Sequence, residues 1–230
     1  MTPLMRPTVS LKTWRDDMKV ESKICGLSTH EGLDAALRYG ATMVGFNFFA
    51  NSPRFVTWDQ AASLSARVSP GVERFGVMVD PDDDFLGQAI SAGNLSVVQL
   101  HGSEDAQRVA NVRDRFGVKV MKVIRISEPS DLEQVSAFEP VADLLMFDAK
   151  PPKGATRPGG NAMAFDWRIL AGKSWKRPWL LSGGLDAKNV RQAVEMTGAR
   201  FVDVASGVEN EAGAKDPSLI REFLEEVGRI

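Results

Sequence analysis

The sequence predicts a closed α/β barrel of eight parallel strands, on three observations: eight short apolar runs, amphipathic stretches alternating with them, and glycine-rich loops after the last two runs. At 230 residues the chain is long enough to bury the core of one such domain. The runs lie at 22–25, 42–48, 74–79, 96–100, 119–126, 143–147, 179–181 and 201–205. They are rich in Val, Ile, Leu and Phe and too short for buried helices, which makes them strands. Near-continuous apolarity is what a parallel sheet covered on both faces requires. An open doubly wound sheet is the structural alternative. It normally shows fewer strands and a glycine-rich turn after the first one, whereas here the glycines come late.

The stretches between the runs read as helices. Thr29 can cap one through Leu33, Ala36, Leu37 and Tyr39, ended by Gly40. Thr57 precedes the Ala/Leu-rich stretch 60–68, and Asp186 can cap 187–197, which ends at Gly198. Asp216 followed by Pro217 opens the last helix, through Ile220, Phe223, Leu224 and Val227. Two segments break the pattern. Residues 1–19 match no barrel element and read as an appended arm, leaving 20–230 as the barrel; Met18 is a second candidate initiator. Residues 149–164 carry three prolines and three glycines after a strand, either an active-site loop or a linker. The loop is favoured, because barrels place chemistry on the loops after their strands.

Composition narrows the partners. A formal net charge of −2 offers no global positive field to nucleic acid or an anionic membrane, so neither is expected and any anionic ligand needs a local site. No apolar stretch is long enough to span a bilayer, and the N-terminus lacks the apolar core of a secretory signal. The single cysteine fits a reducing compartment, and a cytoplasmic protein is expected. With only His30 and His101, and no carboxylate or thiol at ligand spacing, no metal site is expected. No apolar stripe demands a partner subunit, which predicts a monomer or a weak homodimer.

The chemistry-bearing residues sit at the ends of the runs. Ser182-Gly183-Gly184 follows the seventh and Ser206-Gly207 the eighth, where this architecture often binds phosphate. Glycine admits backbone N–H groups close to an anion, and a helix opening near Asp186 would add a favourable dipole end; the plainer reading is a pair of tight turns. Cys25 ends the first run. It is either a small buried apolar residue or a nucleophilic thiol, and Lys23, two residues earlier on the same face, would favour its anion. Asp148 closes the sixth run, as a loop cap or as a placed acid whose pKa desolvation would raise. Strands one and six stand on different sides of the opening, so this thiol and carboxyl could reach opposite faces of one bound ligand. Arg54 follows the second run behind the stiffening Pro53, solvated or aimed at a planar carboxylate. His101, at the end of the fourth run, is a candidate polar contact to substrate, and Asp203 on the eighth is placed to pair with Lys23 inside the barrel.

Taken together, KICGL, VGFNFFANSPRFV, FGVMVD, VVQLHG, FDAKPPKG…RPGGNAMAFDW, LSGGLDAKNV and VDVASGVE…GAKD resemble the phosphoribosylanthranilate isomerase family in order and spacing, from about Lys23 to the C-terminus. The resemblance implies an Amadori rearrangement of N-(5-phosphoribosyl)anthranilate with no cofactor. The residue matching Asp148 would act as general acid on the ring oxygen and that matching Cys25 as general base at carbon 2. Arg54 matches the family's partner for the anthranilate carboxylate. Gly183, Gly184, Ser206 and Gly207 match its phosphate grip, with Gly160 contributing, and His101 and Asp203 fall among the substrate-binding positions. One departure stands in the loop before FDW: the family commonly shows GGTG, and this chain reads Gly159-Gly160-Asn161-Ala162. A sister barrel of the histidine pathway would need aspartate where Cys25 stands. A catalytically impaired barrel that merely binds phosphorylated metabolites is the alternative from another class.

Overall fold

The structure is a computed structural model that describes residues 19–150 and 164–230. Eight parallel strands hydrogen-bond in sequence order: β1 (Glu21–Cys25), β2 (Met43–Asn47), β3 (Glu73–Met78), β4 (Val97–Leu100), β5 (Lys119–Ile126), β6 (Leu144–Ala149), β7 (Trp179–Leu181) and β8 (Phe201–Val204). β8 pairs with β1, with Lys23 opposite Asp203, and closes the barrel. Each expected run is a strand, with ends shifted by no more than two residues. The helices are α1 (His30–Arg38), α2 (Trp58–Ser65), α3 (Asp83–Gly93), α4 (Ala106–Phe116), α5 (Val135–Phe138), α6 (Val190–Thr197) and α7 (Pro217–Val227). After β6 the described residues hold only a 3-10 turn, Trp167–Leu170, where a helix was expected. A short hairpin absent from the sequence reading, β9 (Glu209–Glu211) with β10 (Ala214–Lys215), follows β8.

Local chemistry sets the helix ends. Thr29 accepts from the Gly32 amide, and Thr57 forms a reciprocal capping box with Gln60. The Asp216 carboxylate accepts from both Ser218 and Leu219 at the start of α7, with Pro217 in the first turn where its missing N–H costs nothing. Asp186 is different. Its carboxylate accepts from the amides of Lys188 and Asn189, so its capping capacity is spent on a turn, and α6 begins at Val190 rather than at 187.

Two cores result. The larger fills the space between the barrel's outer face and the helices and includes Ile24, Phe46, Leu100, Ile124, Phe147, Val202, Leu33, Val109 and Phe223. The smaller lies inside the barrel: Met43, Phe75, Val97, Met121, Val123, Leu144, Met146, Leu180 and Phe201. These inward residues alternate with outward ones along each strand, as the period of two demands. The apolar plug fills the lower interior, so inward positions further along the strands are free to carry polar groups at the C-terminal mouth. Among the described residues, no helix is long and apolar enough to cross a membrane. The arm expected at 1–19 lies almost wholly outside the described residues, as does the stretch 151–163 with Gly160 and Ala162.

Replacing Asp216 with Ala removes both capping bonds of α7 and should cost about 1 kcal/mol. Urea denaturation would show this as a lowered midpoint with an unchanged slope; an unmoved midpoint contradicts the assignment.

Candidate active site

Inward alternation on β1 presents Lys23 and then Cys25. Lys23 is completely buried, its Nζ 2.7 Å from Asp203 Oδ1 and 5.3 Å from the centre of the Phe75 ring in the inner core. The second Asp203 oxygen accepts from the Ser182 hydroxyl at 3.1 Å. Cys25 is also buried. Its strand partner on β2 is Gly45, and a side chain there would intrude: a Cβ would stand 3.1 Å from Lys23 Nζ and 3.2 Å from Cys25 Sγ. The absent side chain is what lets ammonium and thiol share that wall. Burial, then the Asp203 carboxylate, push the Cys25 thiol above its ordinary pKa, while Lys23 and Lys215 oppose them. Burial works against the Lys23 charge too, but Asp203 and Cys25 outweigh it and lift its pKa, so the ammonium is held charged.

Asp148 faces inward on β6, in step with Leu144 and Met146 of the inner core. The residue is buried; one carboxyl oxygen accepts from the Ala149 amide and the other lies 3.3 Å from His101 Nε2. That nitrogen makes no hydrogen bond of good geometry among the described residues, and Nδ1 faces the Gln99 amide at 3.5 Å. His101 thus stands beside the carboxyl with a buried ring nitrogen that has no hydrogen-bond partner among the described residues.

The glycine loops meet above this pair. Gly183 and Gly184 both have positive φ, 91° and 68°, and their amides donate to none of the described residues. A Cβ at Gly183 would lie 2.9 Å from the Ala149 amide nitrogen and 3.4 Å from Asp148 Oδ1, which places this loop directly against the carboxyl. A Cβ at Gly207 would lie 1.9 Å from the Leu185 carbonyl oxygen, so the loops after β7 and β8 can touch only through a glycine. Ser206 and Gly207 open a single 3-10 turn. The expected helix dipole end near Asp186 needs correction. The amides that would face an anion there already donate to Asp186, so any anion in this cradle is held by the loop amides themselves.

Arg54 is buried rather than solvated, and the planar carboxylate it grips is the chain's own: Nε and Nη2 donate to the two Glu209 oxygens at 2.6 and 2.8 Å. Lys215 donates to the same carboxylate at 2.5 Å and to the Ala205 carbonyl. Two cations on one carboxylate hold Glu209 below the usual glutamate pKa, despite its burial. Arg54 also packs against β1, since a Cβ on Gly26 would meet its Cδ at 2.4 Å. The hairpin of β9 and β10 supplies both Glu209 and Lys215. Sequence reasoning gave these two no role, although SGVE and GAKD were visible, because nothing in a linear pattern links them to Arg54. Among the described residues, no group of three or more His, Cys, Asp or Glu could hold a metal ion.

The family model described as N-(5'-phosphoribosyl)anthranilate (PRA) isomerase matches residues 22–226. The chain belongs to that family. An N-(5'-phosphoribosyl)anthranilate isomerase of Paracoccus denitrificans is 50% identical over 207 residues, covering 90% of this chain and 96% of that protein. The crystal structure of the phosphoribosylanthranilate isomerase from Thermotoga maritima superposes with a TM-score of 0.81 at 30% identity, covering 92% and 100% of the two chains. A further isomerase structure, in complex with reduced 1-(o-carboxyphenylamino)-1-deoxyribulose 5-phosphate, superposes with a TM-score of 0.78 at 28% identity over the same shares. Within this isomerase, thiol, carboxyl and glycine cradle are thus built by β1, β6 and the loops after β7 and β8.

Replacing Arg54 with Ala breaks a buried ion pair and should destabilise the isomerase by roughly 3 kcal/mol, near the lower end for such a loss because Glu209 keeps Lys215. Thermal and chemical denaturation check this; a change below about 1 kcal/mol, the range of an exposed pair, contradicts it.

Proposed function

We propose that the chain converts N-(5-phosphoribosyl)anthranilate to 1-(2-carboxyphenylamino)-1-deoxyribulose 5-phosphate in tryptophan biosynthesis, with Asp148 as general acid and Cys25 as general base. The observation that carries the assignment is one buried thiol and one buried carboxyl on the same barrel mouth, beside loop amides that donate to none of the described residues. The relative solved with a reduced, phosphorylated aminodeoxyribulose supports a ligand of this class.

The chemistry follows from the groups. Protonation of the furanose ring oxygen by Asp148 lets the bond from that oxygen to carbon 1 break, as the anilino nitrogen lone pair forms the C=N bond of a Schiff base. The Cys25 thiolate then takes the proton from carbon 2; the electrons of that C–H bond form the carbon 1–carbon 2 double bond of an enolamine as the C=N π pair returns to the anilino nitrogen. Loss of the enol proton and protonation of carbon 1 leave the ketone, with no net change in composition. One acid and one base suffice. The phosphate, remote from the reacting carbons, supplies binding energy that holds the sugar between them. Gly183, Gly184, Ser206 and Gly207 are assigned to that phosphate, His101 to polar contact at the mouth and Asp203 to polar contact from the floor below it. Arg54 is assigned to the anthranilate carboxylate through the donor that Glu209 leaves unused. The lone cysteine suits a cytoplasmic compartment, and a monomer or weak homodimer is proposed, which sedimentation would decide.

Loss of substrate fluorescence measures turnover. Cys25→Ser and Asp148→Asn should each lose at least about a thousandfold in kcat while staying folded, the upper part of the range for acid–base catalysis; near-wild-type rates in either remove that residue from the mechanism. Gly207→Ala should raise KM at least tenfold by forcing the two loops apart. A folded wild-type protein with no turnover would favour the metabolite-binding barrel instead.

A further inference from the structure

We propose that Lys23 is the positioning residue that lets Cys25 act as a base, its ammonium bonded to the Asp203 carboxylate, sharing the wall at Gly45 with the thiol and holding the thiolate in place. The inference rests on Cys25 being the base of the proposed function and deepens that reading. Its geometry is the shared wall at Gly45: thiol and ammonium both lie within 3.2 Å of the point a side chain would occupy, and the same ammonium is 2.7 Å from Asp203.

A charge count explains why the arrangement works. Lys23 faces Cys25 from its own strand, Asp203 from β8 and Lys215 from β10; Glu209 on β9 and Arg54 after β2 are bonded to Lys215's group. Asp148 and His101 stand across the mouth on the β6 and β4 side. The near-side network therefore holds three basic groups, Lys23, Lys215 and Arg54, against two carboxylates, Asp203 and Glu209; burial pulls the Lys215 ammonium below its ordinary pKa, against the opposing pull of Glu209. A thiolate is the third anion, the one that balances the buried set. Asp203 is the counterweight: it keeps Lys23 charged, yet it competes for the ammonium and raises the thiol, which preserves basicity toward a carbon-bound proton. Through Ser182, the same carboxylate is tied to the strand end that opens the Gly183-Gly184 loop.

Cys25 is the chain's single cysteine, so no other thiol contributes when its ionisation is followed by thiolate ultraviolet absorbance, and a Tyr39→Phe background removes the chain's single phenol from the same spectral range. Lys23→Met should raise the apparent thiol pKa by about one unit or more, and Asp203→Asn should lower it by a similar amount, each a tenfold change in thiolate fraction below the pKa. Lys23→Met leaves Asp203 stranded and is the variant at risk of misfolding. The comparison of Asp203→Asn with Lys23→Met/Asp203→Asn avoids that, and the double variant should titrate at least one unit above the single. The low-pH limb of kcat/KM, which rises as the thiolate forms, should move with the thiol in each case. Superimposable titrations with and without Lys23 overturn the inference, even if activity falls. A thiol that shifts while the kcat/KM limb stays put contradicts Cys25 as the base, and with it the use made of Lys23.

Discussion

Burying an ammonium without a counter-ion costs several kcal/mol, so the 2.7 Å bond between Lys23 and Asp203 is the constraint on which the upper half of the barrel depends. The two residues face each other in the register that closes β8 onto β1, which makes barrel closure and charge pairing one requirement. Below them the interior is an apolar plug of nine side chains, and Phe75 of that plug lies under the Lys23 ammonium. Above them sit the thiol, the histidine and the carboxyl. The ion pair is thus the floor of the site and the ceiling of the inner core.

A second buried electrostatic unit holds the rim. Glu209 receives Arg54 from the loop after β2 and Lys215 from its own hairpin, drawing together segments more than 150 residues apart in sequence. Such a unit contributes little net stability compared with an apolar replacement of the same shape, but it fixes where its members stand. In the loops after β7 and β8 the constraint is steric instead, and the tolerances are tight at Gly183 and Gly207 because backbone meets backbone there. Rim positions are therefore set by charge on one side and by the absence of side chains on the other.

Much of the fold was legible in sequence because strand burial on both faces leaves continuous apolar runs, which need no tertiary knowledge to see. Caps such as Thr57 and Asp216 were legible for a similar reason, since their bonds close within three residues. Asp186 misled because an identical residue can cap a helix or make an isolated turn, and Asn189, which bonds back to Asp186 and Gly184, tips the choice to the turn. The hairpin after β8 escaped notice because its strands are too short to show alternation.

The sequence by itself determined the architecture, and it nominated the thiol, the carboxyl and the glycines after the last two strands, since each stands in local pattern or in motifs read in order. Only the tertiary structure decided their electrostatics. That Arg54 grips Glu209, that Gly45 makes room for Lys23 and Cys25 together, and that His101 stands beside Asp148 all depend on which residues a closed barrel brings face to face. Coulombic and hydrogen-bonding forces act over a few ångströms of space, and distance along a chain carries almost no information about distance across a barrel.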